Sequence, residues 1–309
     1  MSKPLVVVVL GPTASGKTSL GIEIAERLGG EIVSADSMQI YENMDIATAK
    51  PTPQEQVRVK HHLVGFVPMG EKFSVAKYKE KAIEVIDDIL SRGKLPVVVG
   101  GTGLYIDTLI NNTEFLDYEE SDIRQKLELR CQSEGIEALY SELKNIDPDA
   151  AERLHINDAK RIIRALEVYY STGKTITEQD KLSREKESKY RWCVIGLNAN
   201  DRQYLYDRIN LRVDLMLNDG LLEETKAFFN SDVSATAAQA IGYKELKPYI
   251  DSLVSLEEAI EKLKMESRRY AKRQLTWFRK NSSINWLYID ELKSDELINA
   301  AIRIIENER

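Results

Sequence analysis

The stretch LVVVVLGPTASGKT, residues 5–18, decides how the amino-terminal part of this chain folds. Its first six residues are apolar and mostly β-branched, as in a parallel strand that is buried on both faces. The next eight match the phosphate-binding P-loop pattern, and they stand between a strand and a helix start, as that motif requires. In such a loop the backbone N–H groups converge on an anion, Lys17 adds a full positive charge, and the Thr18 hydroxyl can ligate Mg²⁺. The sequence therefore predicts a phosphate or diphosphate site formed by Gly11, Pro12, Thr13, Ala14, Ser15, Gly16, Lys17 and Thr18.

Alternating strand and helix signals continue beyond the loop and indicate the fold class. Apolar periodicity predicts helices over residues 17–28 and 74–90, and short apolar runs predict strands that end at Asp36 and Val99. This order predicts an α/β fold with a P-loop NTPase-like parallel sheet flanked by helices. Residues 115–190 show only helix signals, the first of them capped by Ser121. They predict an all-helical insertion domain between the core segments 1–114 and 191–309.

Composition and charge narrow the classes of protein. The chain of 309 residues is 43% hydrophobic and contains no apolar run of the roughly 18 residues that a membrane span needs. Its two cysteines have no metal or redox spacing, so we expect a cytoplasmic protein without membrane association. The net charge is −7, yet residues 262–280 carry eight basic side chains and one acidic side chain. That segment is either a contact surface for a polyanion or a solvated helix face.

One carboxylate lies where parallel sheets place their active sites. Asp36 follows the second predicted strand at its carboxyl end, beside the strand that enters the P-loop. The strand ending at Val99 continues into Gly-Gly-Thr and lacks the acidic residue with which P-loop ATPases and GTPases hold Mg²⁺. Asp36 is therefore a candidate general base, a candidate Mg²⁺ ligand or a turn-capping residue.

Nine short strings, taken in their order along the chain, resemble bacterial tRNA dimethylallyltransferases. They are GPTASGKT from Gly11, DSMQIY from Asp36, MDIATAKP from Met44, HHL from His61, GGTGLY from Gly100, RIIRALEV from Arg161, RINLR from Arg208, IGYK from Ile241 and KRQLTW from Lys272. One departure is Ala47, where the family usually has glycine. The resemblance implies that the P-loop holds the diphosphate of dimethylallyl diphosphate rather than a nucleotide such as ATP. It implies prenyl transfer to N6 of the adenosine at position 37 of tRNA, 3′ of the anticodon.

The resemblance also assigns roles around the reacting atoms. Asp36 would accept a proton from the adenine amine, and Thr102 would hydrogen-bond near that amine. Lys17 and Arg212 would stabilise the departing diphosphate, with Arg208 as a further ligand and Mg²⁺ as the expected cofactor. Without the family, the two arginines share one helix face and could equally pair with neighbouring acidic residues.

A surface for the tRNA anticodon stem-loop follows from the same resemblance. Its candidates near the target adenine are Asp36, Ser37, Met38, Gln39 and Thr102. Those around them are Gln239, Ala240, Ile241, Gly242, Tyr243, Lys244, Arg273, Gln274, Trp277, Arg279 and Lys280. Those in the insertion are Arg124, Lys160, Arg161, Ile162, Ile163 and Arg164. The target base must leave its stack to reach Asp36, and we expect the enzyme to be a monomer.

Three other functions fit part of the sequence. A small-molecule or nucleotide kinase would share the P-loop and the sheet. A relative that prenylates free adenylate would share the catalytic strings, although the helical insertion and the basic segment 262–280 favour RNA. A nucleotide-switched RNA-binding protein without catalysis would leave Asp36 and Thr102 without a role.

Overall fold

The chain divides into two compact units. In the computed structural model, which describes residues 3–115, 122–185 and 187–309, one unit comprises Met1–Ile106 with Lys189–Arg309. The other comprises Asp107–Ser188, so it begins eight residues before residue 115, the predicted start of the insertion. The predicted helix cap Ser121 lies outside the described residues.

Six parallel strands form the sheet of the first unit, in the order β3-β2-β4-β1-β5-β6. They cover Leu5–Leu10 (β1), Gly30–Ser34 (β2), His61–His62 (β3), Leu95–Gly100 (β4), Arg191–Asn198 (β5) and Asn285–Tyr288 (β6). The register pairs Val7 with Val97 on one side and with Cys193 on the other, so β1 is central and its valines are buried. The predicted parallel α/β sheet is confirmed, although β6, a short edge strand, was not predicted from the sequence.

Helices cover the sheet and make up the second unit. Those of the first unit are α1 (Lys17–Leu28), α2 (Pro53–Arg58), α3 (Val75–Ser91), α10 (Arg202–Asn218), α11 (Leu221–Phe229), α12 (Tyr243–Ile250), α13 (Leu256–Phe278) and α14 (Ser294–Asn307). Helix α4 (Gly103–Ile110) leads into the second unit, whose helices are α5 (Ile123–Glu134), α6 (Ile136–Ile146), α7 (Pro148–Arg153), α8 (Ala159–Thr172) and α9 (Ile176–Glu185). A capping box begins α13, where the Ser255 hydroxyl accepts the Glu258 N–H and the Glu258 carboxylate accepts the Ser255 N–H.

The carboxyl ends of β2 and β4 approach each other so closely that only glycine fits between them. A Cβ atom on Gly100 would lie 2.1 Å from the carbonyl oxygen of Ala35. That carbonyl accepts the N–H of Thr102 at 3.2 Å, and the Ala35 N–H donates to the Val99 carbonyl at 2.8 Å. The contact therefore brings the residues that follow the two strands, Asp36 and Thr102, to the same edge of the sheet.

Candidate active site

The P-loop is shaped by two residues with left-handed backbone. Gly16, which precedes α1, has a φ of 89°, and Ala14 has a φ of 62°, a conformation that is uncommon for a residue with a Cβ atom. The loop closes on itself through the Ser15 N–H, which donates to the Pro12 carbonyl at 3.3 Å. The amino-terminal end of α1 carries no side-chain cap, so its N–H groups are available to an anion.

A buried amide from α13 ties the P-loop to the turn after β4. Oε1 of Gln274 accepts the N–H of Thr13 at 2.9 Å, and its Nε2 donates to the carbonyl of Gly101 at 2.9 Å. Gln274 is 6% exposed, and both ends of its amide are engaged with backbone. It was predicted to contact RNA; it lines the 350 Å³ cavity, and its amide holds the P-loop and the turn after β4 together.

Two partly buried cations, Lys17 and Arg212, face a cavity of about 350 Å³ together with Asp36. Burial, and to a smaller extent the charge of Arg212, lower the pKa of Lys17 to about 8, while the Asp36 carboxylate acts in the opposite direction. Burial likewise lowers the pKa of Arg212, again opposed by Asp36. Among the described residues, neither cation has a carboxylate within ion-pair distance. The cavity therefore offers positive charge that an incoming anion would neutralise.

Asp36, which lines this cavity, and Thr102 are fixed by hydrogen bonds in the turns that follow β2 and β4. Oδ1 of Asp36 accepts the N–H of Met38 at 3.0 Å, so the turn-capping role foreseen for this carboxylate is present. The Thr102 hydroxyl oxygen accepts the N–H of Ser37 at 2.9 Å. The second carboxylate oxygen of Asp36 has no hydrogen bond among the described residues.

The two arginines of α10 occupy different places. Nε of Arg208 donates to the carbonyl of Ala14 at 2.9 Å, which braces the P-loop from outside. Arg208 lines a second cavity of about 440 Å³, whereas Arg212 lines both cavities. Lys17 and Thr18 also line both, so the P-loop cation and hydroxyl lie between the two spaces.

Glu224 on α11 is part of the site and was missed by sequence reasoning. Its carboxylate accepts the N–H groups of Asp45, Ile46 and Ala47 at 2.9, 2.7 and 2.9 Å, and the hydroxyl of Tyr243 at 2.9 Å. The segment that it holds continues into residues 47–49, which line the cavity of about 350 Å³. The three bonded N–H groups lie 179, 178 and 177 positions before Glu224 in the sequence. No local sequence pattern relates residues that far apart, so this contact could not be predicted from a single sequence.

Several candidates for RNA contact have side chains that are committed elsewhere. Tyr243 is buried and stacks on Phe228, so its predicted contact with RNA is wrong for the side chain. Ala240 is also buried, although it lies in the cavity wall together with its neighbours Gln239, Ile241, Gly242 and Lys244. The amide of Gln39 is engaged with Ser34, Thr48 and Ala49, which makes it a brace for the cavity wall.

The second unit keeps its predicted basic residues at the surface and its predicted isoleucines inside. Ile162 and Ile163 of α8 are 0% and 6% exposed and belong to the apolar core of this unit, so their predicted RNA contact is wrong. They lie inward because α8 is amphipathic and its other face carries Lys160 and Arg161. Arg124 and Arg164 both pair with Glu167.

The basic segment 262–280 is partly neutralised. Lys262 and Arg269 pair with Glu266, and Lys264 pairs with Asp214 at 2.8 Å. In contrast, four exposed cations have no carboxylate partner in the part of the chain that the structure describes: Lys272, Arg273, Arg279 and Lys280. Lys280 lies over the ring of Trp277, whose indole in turn packs against Gly103. The unpaired charge is thus concentrated at the carboxyl end of α13.

The fold and this site define a class: an α/β protein in which the lysine of a P-loop and a carboxylate at a strand end line the same cavity. Comparison with known proteins specifies it further. Residues 39–281 match the family model described as IPP transferase, and residues 4–65 match the one described as isopentenyl transferase. The chain therefore belongs to the IPP transferase family.

Individual relatives extend over nearly the whole chain. The chain is 52% identical to a tRNA dimethylallyltransferase of Acetivibrio thermocellus over 95% of this chain and 94% of that protein. It is 42% identical to the solved tRNA isopentenylpyrophosphate transferase of Bacillus halodurans, with a TM-score of 0.74 and coverage of 99% and 96%. A eukaryotic dimethylallyltransferase solved acting on tRNA is 30% identical, with a TM-score of 0.82 and coverage of 98% and 79%.

The Glu224 anchor generates a first prediction. Glu224→Gln replaces one acceptor oxygen by an N–H₂ group that faces backbone donors, so at least one of its four hydrogen bonds is lost. We expect the apparent affinity for an allylic diphosphate to fall about tenfold, as for a lost hydrogen bond to a charged group. Hydrogen exchange should rise in residues 45–49. Glu223→Gln on the same helix turn, where the structure gives no bond to that segment, is the control. Unchanged exchange in both variants would contradict the anchor.

Proposed function

We propose that this protein transfers a dimethylallyl group from dimethylallyl diphosphate to N6 of the adenosine at position 37 of tRNA and releases diphosphate. The observation that carries the proposal is the pair of partly buried cations, Lys17 and Arg212, without acidic ion-pair partners among the described residues, in a cavity that Asp36 also lines. Membership of the IPP transferase family and relatives named tRNA dimethylallyltransferase support it.

The chemistry follows from the charges on the two sides of the cavity. The bond between the allylic carbon and the diphosphate oxygen breaks, and its electron pair leaves with the diphosphate. Lys17, Arg212 and the P-loop N–H groups stabilise the growing negative charge. The adenine nitrogen forms the new carbon–nitrogen bond and loses a proton, for which the free oxygen of Asp36 is the proposed acceptor. Thr102 would orient the amine.

Mg²⁺ is the cofactor that the site would accept. In the described part of the chain, no three histidine, cysteine, aspartate or glutamate side chains cluster closely enough to hold a metal ion. A site that supplies few protein oxygens suits Mg²⁺, which keeps several waters and binds substrate phosphates. The Thr18 hydroxyl would hold the ion, which supplies charge neutralisation for the diphosphate. Asp36 lines the same cavities and could contact it through water.

The macromolecular substrate is proposed to be the anticodon stem-loop of tRNA. The unpaired cations at the carboxyl end of α13 and the surface-facing basic residues of α8 would contact its phosphates. We further propose a monomeric, cytoplasmic enzyme. Among the described residues, no helix is both long and apolar enough to cross a membrane.

The decisive experiment is mass spectrometry of tRNA after incubation with the enzyme, dimethylallyl diphosphate and Mg²⁺. We expect one dimethylallyl group on the adenosine next to the anticodon. Lys17→Ala should slow its formation at least ~100-fold, because a charge at the leaving group is removed. Phosphate transfer from ATP to an acceptor, with unmodified tRNA, would instead identify a kinase and refute the proposal.

Asp36→Ala should separate chemistry from binding. A general base accelerates its step by a factor of about 10² to 10⁴, so the single-turnover rate should fall within that range while tRNA affinity changes only a few-fold. If Asp36 acts on Mg²⁺ instead, diphosphate affinity falls and excess Mg²⁺ partly restores it. If Asp36 only caps its turn, the free energy of unfolding falls by about 1 kcal/mol and the single-turnover rate stays normal. A normal single-turnover rate excludes the general base.

Binding of tRNA should weaken steeply with salt although the protein is acidic. Each phosphate contact releases counterions, so the logarithm of the affinity should fall linearly with the logarithm of salt concentration. Arg279→Ala should reduce that slope by about one, as expected for one lost phosphate contact. Lys262→Ala, which removes a cation already paired with Glu266, should leave the slope unchanged. Equal slopes in all three proteins would argue against α13 as an RNA surface.

A further inference from the structure

A small void lies beside the P-loop and shares Lys17, Thr18, Asp36 and Gln39 with the 350 Å³ cavity. Its volume is about 10 Å³, close to the roughly 10–15 Å³ that one water molecule needs. Its polar lining comes from Lys17, Thr18, Ser34, Asp36, Gln39 and His61. Lys17 and Thr18 belong to the P-loop. Ser34 ends β2, Asp36 and Gln39 follow it, and His61 begins the short strand β3.

The imidazole of His61 is held in one tautomer. Its Nδ1 lies 2.7 Å from the carbonyl oxygen of Val59, which can only accept, so Nδ1 carries the proton. Its Nε2 therefore has a free lone pair. Burial lowers the pKa of His61, which keeps the ring neutral at physiological pH and preserves that lone pair.

Nε2 of His61 is buried and has no hydrogen-bond partner among the described residues. Buried polar atoms of this kind are rare, and an ordered water is their usual partner. The nearby Ser34 hydroxyl donates to Gln39 at 3.1 Å, so its oxygen is available only as an acceptor. Asp36 offers another acceptor. The void therefore presents acceptors at His61, Ser34 and Asp36, which suit a molecule that donates two hydrogen bonds, while Lys17 and Thr18 line it as donors.

We propose that this void holds a water molecule that ligates the Mg²⁺ bound at Thr18 and donates to Nε2 of His61. A water bound to a cation directs its oxygen at the metal and both hydrogens outward, which matches the acceptors described. His61 is then a positioning residue: it holds a water ligand of the metal and does not contact the metal itself. This proposal rests on the proposed function only for the presence of Mg²⁺ with a diphosphate.

The test compares two substitutions of His61 in the full-length protein. His61→Asn keeps an N–H for the Val59 carbonyl but has no acceptor where Nε2 stands, whereas His61→Gln can place an amide oxygen there. Binding of inorganic diphosphate is titrated with and without Mg²⁺, in the absence of RNA. For His61→Asn we expect about tenfold weaker Mg²⁺ affinity, as is typical when a residue that hydrogen-bonds to a metal ligand is lost. Diphosphate binding without Mg²⁺ should stay within about twofold of wild type. Gln should restore most of the loss.

His62→Asn is the matched control. His62 is the next residue on the same strand, but its ring contacts Glu31 at 2.7 Å and does not line the void. This variant should lose thermal stability and keep the wild-type Mg²⁺ affinity. Wild-type Mg²⁺ affinity in His61→Asn, or equal losses with and without Mg²⁺, would overturn the proposal; equal losses would mean that His61 only supports the P-loop.

A second measurement uses only the wild-type protein, so it does not depend on whether a His61 variant folds. The ¹⁵N resonance of His61 Nε2 in the wild-type protein should shift when Mg²⁺ and diphosphate are added together, and not with diphosphate alone. No shift would refute the water link. Failure of tRNA prenylation with this shift intact would refute the proposed function and leave the metal-water site standing.

Discussion

The structure depends on positive charge that is partly buried before any ligand arrives. Lys17 and Arg212 lie beside the same cavity, and desolvation lowers the pKa of both, that of Lys17 to about 8. Withdrawing two cations from water without an ion pair is unfavourable, and among the described residues it is the Asp36 carboxylate that opposes this cost. A diphosphate would supply the missing negative charge at the place where charge grows during the reaction. The fold thus stores, in the free protein, an environment complementary to the leaving group.

Keeping this arrangement requires supports from distant parts of the chain. Gln274 joins the P-loop to the turn after β4, Gly100 lets that turn approach Asp36, and Glu224 holds the segment that forms the opposite wall. Each support uses a buried hydrogen bond or a close backbone approach rather than a catalytic group. Catalytic geometry is sensitive to shifts of about 1 Å, so these residues matter as much as those that touch substrate.

The distribution of charge separates the two substrates of the proposed reaction. The cations proposed to bind the diphosphate, Lys17 and Arg212, are partly buried and have no carboxylate partner among the described residues, whereas the cations at the carboxyl end of α13 are exposed. Much of the remaining positive charge on α13 is compensated by Glu266 and Asp214. The acidic net charge therefore does not oppose RNA binding, because screening limits charge effects to about 10 Å and the local surface decides.

The sequence by itself determined the parallel α/β sheet, the P-loop and its anion site, the helical character of the insertion, and the position of Asp36 at a strand end. These features are local: each depends on residues within one strand, loop or helix, where periodicity and motif spacing carry the information. Only the tertiary structure decided which candidates face a cavity and which are committed to packing. Ile162 and Tyr243 proved to be buried, Gln39 and Gln274 proved to hold backbone segments together, Glu224 proved to anchor residues 45–47, and Nε2 of His61 proved to be buried without a hydrogen-bond partner among the described residues. Their roles come from contacts between residues far apart in the chain, and a single sequence contains no period or spacing that records such contacts.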